Sequence, residues 1–134
     1  MIVVDTNIIC YRWMASSRSE AAESAWAKDP DWIVPLLWRS EFRNALAGAL
    51  RKKLIALETA ISIAEKAEAQ FAGREFLVSA RAVMALVAAS RCSAYDCEFL
   101  ALAQEHQVGL VTEDRDMLRE FPAIALSLDS FLQR

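Results

Sequence analysis

Residues 2–4 read Ile-Val-Val, an unbroken β-branched run that ends on a carboxylate, Asp5. A strand with one wet face alternates apolar and polar residues. A run without alternation marks a strand covered on both faces, the condition of an inner strand in a parallel sheet. Parallel neighbours need long crossover connections, usually helices. A chain that opens this way has to supply further short strands, and helices enough to cover both faces. The carboxylate at the strand end needs a helix to cap or a partner, because an unpaired buried charge is costly.

The rest of the chain meets that demand. Strands are expected at 2–5, 32–34, 76–78, 108–112 and 124–126. Helices are expected at 7–14 with Thr6 or Asn7 as N-cap, and at 19–28, 36–53, 57–71, 79–90, 93–107, 113–121 and 127–133. Pro35 sits at a favourable start for helix 36–53. There Leu37, Phe42, Ala45, Leu46, Ala49 and Leu50 recur at helical spacing. Gly73 ends helix 57–71 and Pro122 closes helix 113–121. Helix 79–90 is mostly apolar, which predicts packing on two sides. Three glycines and three prolines are too few for a fold built on tight hairpins. Strands alternating with helices define the α/β class, with a mostly parallel sheet and right-handed crossovers. Ligands of such sheets sit beyond the carboxyl ends of the strands. Asp5 lies at one such end, and Asp114 follows just after another.

Length and composition narrow the function. One domain spanning 1–134 is expected. A chain of this size buries roughly 70% of its unfolded surface, so it folds without a disulfide or a structural metal. Cys10, Cys92 and Cys97 form no paired framework, which points to a reducing, cytoplasmic setting. With His106 the only histidine, they make a poor zinc set, and no Ser-His-Asp triad can be built around it. The N-terminus reads as a strand, not a basic leader. The longest uncharged apolar run, 82–89, is far short of the ~20 residues needed to span a bilayer. Net charge −3 and a pI of about 5.2 exclude an overall basic footprint for nucleic acid. No glycine-rich phosphate loop is present.

Four acids stand out by position. Asp5 ends the first strand, Glu41 interrupts the apolar stripe between Leu37 and Ala45, Asp96 shares a face with Phe99 and Leu100, and Asp114 follows Gly-Leu-Val-Thr. Each has a purely structural reading as well. Asp5 and Asp114 can cap the helices that follow them. Asp96 fits a capping box begun by Ser93. Glu41 can be a helix-flank acid paired with Arg39 or Arg43. Taken together, two breaches of apolar pattern and two acids at strand ends are most simply resolved by a shared cation. Four carboxylates without thiol or imidazole suit a hard ion, Mg²⁺ or Mn²⁺. Acids holding such an ion are suited to phosphodiester cleavage, with ions ~3.5–4 Å apart in two-metal sites. Bound cations also offset repulsion between an acidic protein and a polyanion.

The segments VVDTN, PLLWRSEFRNAL, SAYDCEFLALA and GLVTEDRDML occur in the order and approximate spacing of PIN-domain proteins. They most resemble the VapC-type toxin ribonucleases of VapBC toxin–antitoxin pairs. That resemblance covers essentially the whole chain. It implies a parallel five-stranded sheet with helices on both faces. It implies an Mg²⁺- or Mn²⁺-dependent endoribonuclease that cuts RNA with metal-activated water. The family's acidic quartet falls on Asp5, Glu41, Asp96 and Asp114, and its polar residue before the last acid falls on Thr112. Asp116 is an auxiliary acid on this reading, or part of a solvated helix face. The resemblance also implies a homodimer, and an antitoxin that lays a segment across the active-site groove.

Arg12, Arg39, Arg43 and Arg115 are the substrate-binding candidates by proximity to these motifs; Arg39 and Arg43 serve equally well as partners for acids. Trp13, Trp26, Trp32 and Trp38 are either core or interface. Two rivals share the fold: a non-toxic RNA-processing nuclease, and a catalytically inactive module that binds RNA or protein. Retention of all four acids argues against the second. A receiver-like or phosphatase-like protein would need a lysine at a strand end, and the four lysines fall elsewhere.

Overall fold

A computed structural model describes all residues, Met1–Arg134. The elements run β1 (Ile2–Val4), α1 (Thr6–Trp13), α2 (Ser19–Lys28), β2 (Trp32–Pro35), α3 (Trp38–Arg51), α4 (Leu57–Gln70) and β3 (Glu75–Phe76). They continue with α5 (Ala80–Ala88), α6 (Ala94–His106), β4 (Leu110–Val111), α7 (Arg115–Glu120), β5 (Ala125–Leu126) and α8 (Leu128–Leu132). The five strands form one parallel sheet in the order β3-β2-β1-β4-β5. β1 is the central strand, and Ile2, Val3 and Val4 are buried on both faces, as an unbroken β-branched run requires.

The register follows from ladder contacts. Val3 pairs with Ile33 on one side and Leu110 on the other. The amide of Asp5 donates to the Val111 carbonyl at 3.0 Å, so β1 and β4 end side by side. α6 crosses one face over β1, β2 and β4, with α5 packed behind it. α1 packs against α2 and α3, and α3 against α4. The core is one cluster with Trp32, Trp38, Phe42, Phe71 and Phe99 as its largest members. Trp13 and Trp26 lie at its margin.

Three local expectations are corrected. The N-cap of α1 is Asp5, whose carboxylate accepts from the Thr6 amide at 2.8 Å, not Thr6 or Asn7. Pro35 ends β2 and pairs with Phe76; a turn at Leu36 and Leu37 intervenes before α3. A proline suits a strand terminus as well as a helix start, because both leave its missing N–H unneeded. Helix α5 packs on one side only: Val83 and Leu86 are buried, while Met84 is 57% exposed. Its apolar character comes largely from alanine, which has too little surface to define a second buried face.

Candidate functional site

Asp5 leaves β1 and immediately caps α1, which turns its side chain back over the sheet's carboxyl end. It is only 7% exposed. One oxygen accepts from the Thr6 amide at 2.8 Å; the other accepts from the Thr112 hydroxyl at 2.6 Å. Thr112 follows β4 and is fully buried. Its Oγ1 also accepts from the Asp114 amide at 3.0 Å, so one hydroxyl ties Asp5 to the loop carrying Asp114. Asp114 caps α7 by accepting from the Met117 amide at 2.9 Å. Glu41, in the first turn of α3, is half-buried, and its Oε1 accepts from the Thr6 hydroxyl at 2.7 Å. Asp96 lies in the first turn of α6, where its amide donates to the Ser93 hydroxyl at 3.0 Å.

The capping readings are therefore correct for Asp5 and Asp114, and Ser93 does cap Asp96's helix. They do not use up the carboxylates, because each cap engages one oxygen and leaves lone pairs free. None of the four acids has an ion-pair partner. Instead they repel each other. Burial pushes the Asp5 pKa up to about 7, against its hydrogen bonds from Thr112 and Thr6 and with added repulsion from Glu41 and Asp96. Burial raises Glu41 too, helped by Asp96 and Glu98. Asp96 is raised by burial, then by Asp114 and Asp116. The sheet order thus brings all four sequence-selected acids into one electrostatic neighbourhood.

The donor set fits a hard divalent cation: carboxylate and hydroxyl oxygens, with no imidazole. The nearby thiols offer no thiolate: burial, then Asp5 and Glu41, push Cys10 up to about 12, and burial, with Asp96 adding to it, raises Cys92 and Cys97. As the side chains stand, no three His, Cys, Asp or Glu groups are close enough to hold one ion. The acids form a neighbourhood rather than a closed cage.

A model of the PIN domain matches residues 2–123. The chain belongs to the PIN-domain family. No curated protein matches it. Among solved structures, this PIN domain resembles PAE2754 from Pyrobaculum aerophilum, with a TM-score of 0.77 and 19% identity over 99% of this chain and 87% of that one. It also resembles FitAcB from Neisseria gonorrhoeae, with a TM-score of 0.69 and 22% identity over 96% of this chain and 98% of that one. A toxin–antitoxin complex from Klebsiella pneumoniae gives a TM-score of 0.70 at 19% identity, over 96% of this chain and 98% of that one. At such identities these likenesses describe the fold.

Three of the four candidate arginines of this PIN domain are engaged with other acids. Arg12 pairs with Glu23 at 2.7 Å and lies 4.3 Å over the Trp26 ring. Arg39 holds Glu75 through Nε and Nη2 at 2.5 and 2.6 Å, and Arg43 pairs with Glu68 at 2.5 Å. The expected alternative pairing of Arg39 or Arg43 with Glu41 does not occur. Glu75 also accepts from Trp38 Nε1 at 2.7 Å, so it pins the start of α3, the turn that carries Glu41. Arg115 is exposed beside Asp114 and carries no ion pair. Asp116 pairs with Arg119 at 2.5 Å on the same helix. Two participants were not singled out from sequence. Thr6 carries only a capping signal in the sequence, although it adjoins Asp5. Glu98 lies two residues past Asp96, and its burial raises its pKa.

Proposed function

We propose that this PIN domain is an Mg²⁺- or Mn²⁺-dependent endoribonuclease, the toxin of a type II toxin–antitoxin pair. The observation that carries the reading is the joining of Asp5, Glu41 and Asp114 by threonine hydrogen bonds at the ends of β1 and β4, with Asp96 in electrostatic reach and no cationic side chain paired to any of them. Asp5 and Glu41, with Asp96 and Asp114, would hold the cation. When bound, it supplies Lewis acidity to water and phosphate and offsets the charge that develops during cleavage. Thr112 fixes the Asp5 carboxylate and the Asp114 loop in one orientation. Burial of Asp5 keeps bulk water from screening its charge. Arg115, free at the rim, is suited to a phosphate of the RNA.

Partners follow from the surface. An apolar groove of about 890 Å³ runs between α1, α3 and α4, lined by Trp13, Met14, Ala45, Ala49, Leu54 and Ile63. Its lining includes Cys10, on the helix that Asp5 caps, and Ala45, one turn after Glu41 on α3. An antitoxin segment seated there would control access to them. The apolar side of α5 left open at Met84, with Leu77 exposed just before the helix, supports a homodimer. No helix is long and apolar enough to cross a membrane; the three free thiols, Cys10, Cys92 and Cys97, support a reducing, cytoplasmic setting.

The test compares wild type and Asp5→Asn on structured RNAs with Mg²⁺, Mn²⁺ or EDTA. Cleavage is expected only for wild type with a divalent ion. Cleavage surviving EDTA, or surviving the substitution, overturns the mechanism; wild type that binds RNA without cutting it favours the inactive module.

A further inference from the structure

Asp5 and Glu41 are like charges from elements far apart in sequence, and one residue joins them. The Thr6 amide donates to Asp5 Oδ1 at 2.8 Å, and its hydroxyl donates to Glu41 Oε1 at 2.7 Å, across 35 positions. Thr6 is 8% exposed. A threonine inside a helix often turns its hydroxyl back onto the carbonyl one turn earlier. Thr6 is the first residue of α1, so no such carbonyl exists and the hydroxyl is free to reach α3. Its β-branched side chain has few χ1 choices, which limits where its hydroxyl oxygen can sit, and the hydroxyl has a single proton to give. Glu41 has no other hydrogen-bond or ion-pair partner and faces repulsion from neighbouring acids. Being only half-buried, it could swing to water if released.

We propose that Thr6 is a positioning residue whose hydroxyl holds Glu41 towards Asp5 and so presets the spacing of these two acids for a divalent cation. The inference rests on the metal-dependent reading of the site. It assigns Thr6 to the Glu41 side and leaves Thr112 to serve Asp5 and Asp114.

The experiment uses the full chain and Mn²⁺ as probe, with binding followed by calorimetry and RNA cleavage measured separately. Thr6→Val keeps the branched shape and removes the hydroxyl. It should weaken Mn²⁺ binding roughly 10–100-fold, the usual cost of losing a group that orients a ligand. It should lower kcat with little change in KM for RNA. Thr6→Ser, which keeps the hydroxyl, should restore both. In a Glu41→Ala background Thr6→Val should cost nothing further, because the group it positions is gone. If Thr6→Val unfolds, Thr6→Ala against Thr6→Ser carries the same comparison. Wild-type binding in Thr6→Val, failure of Thr6→Ser to restore it, or a full additional loss in the Glu41→Ala background overturns the inference alone. Wild type that binds no Mn²⁺ overturns the metal reading and this inference with it.

Discussion

Asp5 divides its two oxygens between two tasks, capping α1 with one and meeting Thr112 with the other. The geometry is demanding because the residue is buried and no cationic side chain is paired with it. Its folded pKa, raised from 3.8 to about 7 mainly by burial, makes the folded state the better proton acceptor. In linkage terms, Asp5 costs nothing below 3.8, costs progressively more as pH rises towards about 7, and costs its full amount above that. Asp5→Asn keeps the shape and one acceptor, enough for the Thr6 amide, turns the other position into a donor towards Thr112 Oγ1, and removes the charge. In EDTA the variant should melt higher than wild type at pH 8, with the difference vanishing at pH 4; on adding Mn²⁺ wild type is expected to rise in Tm and the variant is not. Thermal melts across that range check it; a variant less stable than wild type at pH 8 would contradict the account. The sequence made Asp5 conspicuous because the run before it left no solvent-facing position for a charge. Thr6 was invisible as a site residue, because a threonine beside a cap looks like another cap until Glu41 is seen above it.

At the scale of elements, periodicity gave nearly everything that has a repeating face. All eight helices overlap the stretches expected to be helical, α3 and α4 where apolar spacing marks them, and β1 falls where its unbroken run put it. What was not legible depended on partners distant in sequence. β3 is Glu75–Phe76 because those residues meet Val34 and Pro35, and no local signal favours them over residues 76–78. Helix α3 holds a further lesson in Gly48, which sits in its interior without a turn, a positive φ or a close neighbour to require it. A Cβ added there meets nothing within 4 Å. Glycine in a helix interior costs roughly 0.5–1 kcal/mol relative to alanine. Gly48→Ala should therefore stabilise the protein by about that amount, read as a higher urea midpoint with an unchanged m-value. Destabilisation would mean that the helix needs glycine there for a reason its own packing does not contain.

The whole molecule gives that glycine a setting. With the order β3-β2-β1-β4-β5, successive strands are laid outward on one side of β1 and then on the other. The crevice at that reversal, between the carboxyl ends of β1 and β4, is where such sheets bind ligands, and it is where Asp5, Thr112 and Asp114 meet. The apolar groove between α1, α3 and α4 is separate from this crevice in composition, yet Cys10 lies in one and feels the charges of the other. Gly48 lines the groove together with Leu54, which is 72% exposed. A surface of that kind is a liability in an isolated protein and an asset in a complex. If an antitoxin segment occupies it, filling the groove should separate inhibition from catalysis. Gly48→Leu adds bulk into open space without touching any of the four acids. It should leave the rate of RNA cleavage close to that of wild type while preventing silencing by the antitoxin. Cleavage rates with and without a stoichiometric antitoxin decide the matter. Inhibition that persists in Gly48→Leu would mean that the antitoxin reaches the acids by another route; loss of cleavage without antitoxin would mean that the groove serves the reaction itself.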